Sequence, residues 1–302
     1  MAYTLLQLIQ QASKEMGLSS PSTAAANTAT DIVQLVALAN ATGSELARQF
    51  DWQYLNKEHT FSTVFYQYTG DSTVGSTSLT NMSSITGLSS SFMVEGTGVL
   101  DDTYVSSAAS TTVVISNEAN ATGTTVTFTF GQTKYSLPAD YDRQVDFTHW
   151  NKTNQWEDAG PTSPQSWQWL KTSAAATGPR VRYRIMGNTY QVFPMPASET
   201  LHRFEYISTY WVTATGSAAP DKTSFTVDTD TCVFPDRLMI LGLKLKYFET
   251  KGFDTSSLYR DYTRELDISK AHDHGSPTLS MSGKPTSILI GPQNIPDSHF
   301  GD

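Results

Sequence analysis

Few groupings in this 302-residue chain have residue types and spacing suited to chemistry. His272-Asp273-His274 places two imidazoles around a carboxylate. At a fraying helix end that spacing yields at most two metal ligands, and structural zinc takes four. Glu157 and Asp158, beside Trp156, could supply the paired carboxylates of glycoside hydrolysis. Consecutive positions of an extended segment face apart, so a solvated pair is the expectation. His149-Trp150 reads as packing. Gly96-Thr97-Gly98 lacks the third glycine and following helix of a dinucleotide loop and reads as a turn. No Gly-x-Ser-x-Gly elbow occurs. Cys232, the lone cysteine, has no partner for a disulfide or a thiolate metal site. No catalytic residue, metal or cofactor is expected.

One pattern is sharper. Arg180, Arg182 and Arg184 alternate with Val181, Tyr183 and Ile185, so a strand would carry three guanidinium groups on one face. The plain reading is a wet sheet face. The functional readings are an acidic neighbouring subunit or a DNA backbone, and the chain's surplus of carboxylates favours the subunit. A second cluster, Ile288-Leu289-Ile290 before Gly291-Pro292, concentrates aliphatic side chains in a segment otherwise built for solvent. It would either dock on a partner by strand addition or fold back on its own chain.

The elements that must position these groups follow from periodicity. Residues 4–16 predict an amphipathic helix capped by Thr4 and ended by Gly17, with Leu5, Leu8, Ile9, Ala12 and Met16 on one face. A longer helix is predicted over 31–50 with a stripe of Ile32, Leu35, Val36, Ala39, Leu46 and Phe50. Gly43, on the same side, would admit a neighbouring helix. Together these read as a helical hairpin. Period-two alternation predicts a strand over 59–65.

Composition then changes. No Lys or Arg occurs between Glu58 and Thr133, and residues 70–131 are dominated by Ser, Thr, Gly and Val. Five short β-like runs there predict an inserted antiparallel barrel or sandwich. Residues 135–170 are rich in aromatics and turn formers. Strands are predicted over 181–186, 190–193 and 201–211, the first two joined by a Gly187-Asn188 hairpin turn. Helices are predicted over 235–251 and 256–270. Four prolines after Gly275 forbid a continuing helix, leaving an extended tail. The expected fold is therefore α+β. Residues 1–68 and 132–274 form a core of helical bundle and antiparallel β-domain, 70–131 an inserted β-module, and 275–302 a C-terminal tail.

Charged residues make up 16% of the chain and aromatics 11%, against both disorder and a long coiled coil. No window predicts a membrane span, the N-terminus lacks signal-peptide features, and the cysteine usage predicts synthesis in a reducing cytosol. A net charge of −9 disfavours tight nucleic-acid binding by the whole surface.

Several weak motifs then occur in order. They are Phe50-Asp51-Trp52-x-x-Leu55, Tyr135-Ser136-Leu137-Pro138-Ala139-Asp140-Tyr141-Asp142-Arg143, Trp150-Asn151, Gly160-Pro161 through Trp167, Tyr183-Arg184-Ile185-x-Gly187-Asn188, and Pro194-x-Pro196 before Phe204-Glu205-Tyr206-Ile207-Ser208. Over residues 4–68 and 132–270 the chain resembles the head-to-tail adaptor proteins of tailed bacteriophages, chiefly short-tailed ones. The segment 70–131 departs from the compact family pattern and resembles β-modules spliced into phage structural proteins.

The resemblance implies a non-catalytic virion protein at the head–tail junction. It would form a homo-oligomeric ring, commonly of twelve subunits, between the portal protein and tail nozzle or tail fibre proteins. Double-stranded DNA would pass through the ring without sequence-specific binding. Twelve copies would carry about −108 charges, which repels DNA from the channel wall. Under the resemblance, Ile288, Leu289, Ile290 and Pro292 are the portal-docking candidates, and Arg180, Arg182 and Arg184 the intersubunit contacts. Rival classes are a receptor-binding or fibre-associated tail protein and a virion-associated cell-wall hydrolase.

Overall fold

The computed structural model describes residues 2–172 and 181–274. Five α-helices occur among them: α1 Leu5–Met16, α2 Thr30–Gln49, α3 Pro164–Lys171, α4 Asp236–Lys251 and α5 Ser256–His274. Sixteen strands accompany them. The first eight are β1 Asn56–Ser62, β2 Phe65–Ser72, β3 Ser78–Leu79, β4 Phe92–Gly96, β5 Val105–Ala109, β6 Thr112–Ile115, β7 Gly123–Gln132 and β8 Lys134–Ser136. The rest are β9 Tyr141–Gln144, β10 Trp150–Asn151, β11 Trp156–Glu157, β12 Arg182–Met186, β13 Thr189–Phe193, β14 Leu201–Ser208, β15 Val212–Thr213 and β16 Thr231–Cys232. The described residues divide into two compact units, one of 2–57, 140–144 and 206–274, the other of 58–139, 145–172 and 181–205.

In the first unit the helices gather on α4. Thr4 caps α1 in a reciprocal capping box with Gln7, and Gly17 ends it in the left-handed region. These are local instructions, and they place α1 where its periodicity predicts. Its partner differs from expectation: α1 and α2 do not form a self-contained hairpin but each packs chiefly on α4, as does α5. The reason lies in α4, where Leu238, Met239, Ile240, Leu241, Leu243 and Leu245 are all buried, so apolar surface is presented on most sides. Gly43 likewise admits an indole rather than a helix, because a Cβ there would come within 2.1 Å of Trp211 Cη2. At Gly242 of α4 a Cβ would lie 2.6 Å from Thr42 Cγ2 and 3.2 Å from Tyr262 Cε2, so this glycine lets α2 and α5 close on α4.

The second unit is mostly antiparallel sheet. Strand β2 pairs with β7 and β7 with β4, while β3 and β5 flank β6. Leu79, Phe92, Val94, Val105, Val113, Ile115, Phe128 and Phe130 from the two sheets share one buried core. No closed barrel is present among the described residues. The predicted strand over 59–65 is two strands, broken at Thr63, whose hydroxyl bonds to Thr200 Oγ1 at 3.0 Å. Helix α3 lies in a stretch read from sequence as turns. Ser163 caps it, Pro164 opens it, and Trp167 and Leu170 are its buried residues. Gly187 and Asn188 both have φ of 59° and close the β12–β13 hairpin as predicted. Strand β14 ends at Ser208 rather than at Trp211. Its residues 201–205 belong to the second unit and pair with β10 there, while 206–208 belong to the first and pair with β9.

Candidate functional site

In the first unit α5 carries an exposed, partly apolar face. Asp254 Oδ1 accepts hydrogen bonds from Ser256 N (3.0 Å) and Oγ (2.6 Å) and starts the helix. Leu266 is buried on the inner side. On the outer side an open, largely apolar groove runs from Tyr259 through Arg264 and Ile268 to Ala271, with Tyr259 60% exposed. A second groove, shared with α2 and α4, is crossed by the Lys246–Glu45 ion pair at 2.5 Å. Tyrosine and arginine beside apolar surface are the residue types that anchor protein–protein contacts.

In the second unit Arg182 and Arg184 lie on β12 as predicted, opposite the buried Tyr183. Among the described residues neither forms an ion pair. Arg180 lies outside the described residues, as do Ile288, Leu289, Ile290 and Pro292.

The residues weighed for catalysis are used differently. Asp158 is not a solvated carboxylate: it is 3% exposed, and its Oδ2 accepts from His202 Nδ1 at 2.7 Å. His202 Nε2 lies 2.9 Å from Thr200 Oγ1, so the three have the connectivity of a carboxylate–imidazole–hydroxyl relay. Thr200, however, is 8% exposed and its hydroxyl is bonded to Thr63, so the relay ends at the break between β1 and β2 rather than in a cleft. It ties the end of β1 to the start of β14. The sequence hid this network because its members are scattered over 140 positions, and no local pattern links them.

His149 is buried in a stack of rings, 4.0 Å from Tyr183 and 4.8 Å from Phe204 between centroids, with neither ring nitrogen hydrogen-bonded. Burial lowers its pKa to about 3, so it is neutral. Asp273 is buried in α5 and accepts from Gln53 N at 2.7 Å. No group of three His, Cys, Asp or Glu among the described residues could hold a metal ion. Burial pushes the Cys232 thiol up to about 12.

In the first unit Asp140 is the main polar anchor. Burial alone would raise its pKa, but hydrogen bonds from Lys57 (2.7 Å), Ser208 (2.7 Å) and Tyr206 (2.9 Å) hold it below the usual aspartate value. Among the described residues no helix is long and apolar enough to cross a membrane.

A family model described as SU10 adaptor protein matches residues 100–280, more than half of the chain. The match starts within the segment read as an insertion and runs through α5. No curated protein matches the chain.

Proposed function

Since the chain belongs to the SU10 adaptor protein family and is thus a bacteriophage structural adaptor, we propose that it forms a ring between portal and tail. The ring would line the DNA channel and offer the platform on which tail components dock. The family match carries this reading. The outer groove of α5 supports it, because a ring needs a heterologous contact in which one patch meets a different patch on the next copy. The net charge of −9 suits a channel wall that must not hold DNA. Arg180, Arg182 and Arg184 serve as contacts to an acidic neighbouring surface, and the tail 275–302, with its Ile288-Leu289-Ile290 run, docks on the portal. Twelve copies in the virion, without enzymatic activity, complete the proposal.

Electron micrographs of the purified protein, alone and mixed with portal, test it. Rings that cap the portal support the reading, and a protein that stays monomeric and fails to join portal refutes it. Deleting 284–302 separates the parts: lost joining with a folded monomer supports docking by the tail, and retained joining removes that role.

A further inference from the structure

We propose that the solvent face of the β1-β14-β10-β11 sheet in the second unit binds a neutral linear oligosaccharide across Trp150. Four residues form one row on that face. Trp150 of β10 is in register with Arg203 of β14 and with Glu157 of β11, and Arg203 pairs with Glu58 of β1 at 3.2 Å. The opposite face carries the buried His202 and Phe204. Trp150 and Lys152 are shared walls of two hollows. One, of about 280 Å³, is also lined by Phe147, Arg203, Glu58 and Glu205, and the other, of about 400 Å³, by Asn151 and Gln155.

Three features select the ligand. First, Phe147 is 67% exposed and has φ of 63°, a left-handed conformation uncommon for a bulky residue. Its exposed ring lines the same hollow as Trp150. Gln155, with φ of 57°, bounds the other hollow in the same way. Strain of this kind concentrates at ligand clamps. Second, the charged groups that line the two hollows cancel, Glu58 and Glu205 against Lys152 and Arg203, and Glu157 at the end of the row leaves one carboxylate in excess. Such a set disfavours phosphate and acidic peptides, and it can both donate to and accept from hydroxyl groups. Third, two hollows flank one indole, which suits a ligand with a repeating unit, one ring in each hollow, its C–H faces against Trp150 and Phe147.

The test is native electrophoresis through gels containing dextran, mannan, laminarin or hydroxyethylcellulose, with chitohexaose titrated against the intrinsic tryptophan fluorescence. The whole protein should be retarded by at least one polymer or respond to the hexasaccharide. Trp150→Ala should weaken that interaction at least tenfold and Phe147→Ala severalfold, while Val33→Ala on α2, half exposed and outside every groove described above, leaves it unchanged. Phe147 is mostly exposed, so its variant keeps the test decisive should Trp150→Ala misfold. No response to any of the five saccharides, or responses equal in wild type and Phe147→Ala, overturns the proposal. Loss of particle joining by Phe147→Ala without any saccharide binding assigns the face to a protein partner and overturns it too. The adaptor reading is tested by ring formation and stands or falls separately.

Discussion

Gly43 and Trp211 pack against each other in the first unit so closely that a Cβ on residue 43 would lie 2.1 Å from the indole. Trp211 is 1% exposed and is held by Phe225, 5.1 Å away and perpendicular, and by Phe234 at 6.0 Å. A residue that costs helix α2 about 1 kcal/mol in propensity is thus used to seat the largest side chain available.

Gly43→Ala is expected to destabilise the protein although alanine favours helix. Overpacking a dense core costs ~1–3 kcal/mol, and the two phenylalanines leave the indole no room to yield. Thermal melting should show a fall of several degrees, and Trp211→Leu in the alanine background should recover part of it. An unchanged or raised melting temperature would show that the ring moves freely.

His149 makes stability fall on acidification. Its folded pKa, about 3, is below the ordinary 6.5, so between those values the unfolded chain binds a proton that the folded one does not. Stability therefore drops as pH falls from 6.5 toward 3, by up to about 1.4 kcal/mol per pH unit. His149→Phe, which keeps the ring stack, should flatten the pH 6.5–4.5 limb of urea-midpoint measurements. Parallel curves for the two proteins would contradict the assignment.

The segment between Phe65 and Gly131 is expected to be removable. Gln132 N donates to Val64 O at 2.8 Å, and Phe65 is in register with Gly131, so a short turn can rejoin the chain. Closure entropy changes little with loop length, ~0.6 kcal/mol per doubling. The deletion forfeits the Lys171–Asp102 pair at 3.2 Å, partly exposed and of small value. Replacing residues 66–130 with a four-residue Gly/Asn turn should leave the helical circular dichroism and a cooperative melt. A remainder that fails to fold would make the segment part of the core.

Arg182→Glu should weaken self-association at 50 mM salt, with the difference fading above ~0.5 M, because exposed charges are screened within about 10 Å at 0.1 M. Sedimentation velocity at the two ionic strengths reads this directly. Identical association of variant and wild type would remove Arg182 from the interface.

What the sequence determined by itself is the set of features closed within a few residues. The Thr4–Gln7 capping box, the Gly17 stop, the Gly187-Asn188 turn and the α4 and α5 periodicities depend on backbone geometry and neighbours at most one turn away. The alternation of Arg182 and Arg184 about Tyr183 was legible for the same reason. The tertiary structure alone decided what fills each space. It set an indole rather than a helix on Gly43, broke the first predicted strand where Thr63 meets Thr200, buried Asp158 against His202, and gathered Glu58, Trp150 and Arg203 into one row. Those partners lie tens to more than a hundred residues apart, and burial and polar satisfaction act on distance in space, which no periodicity in the chain encodes.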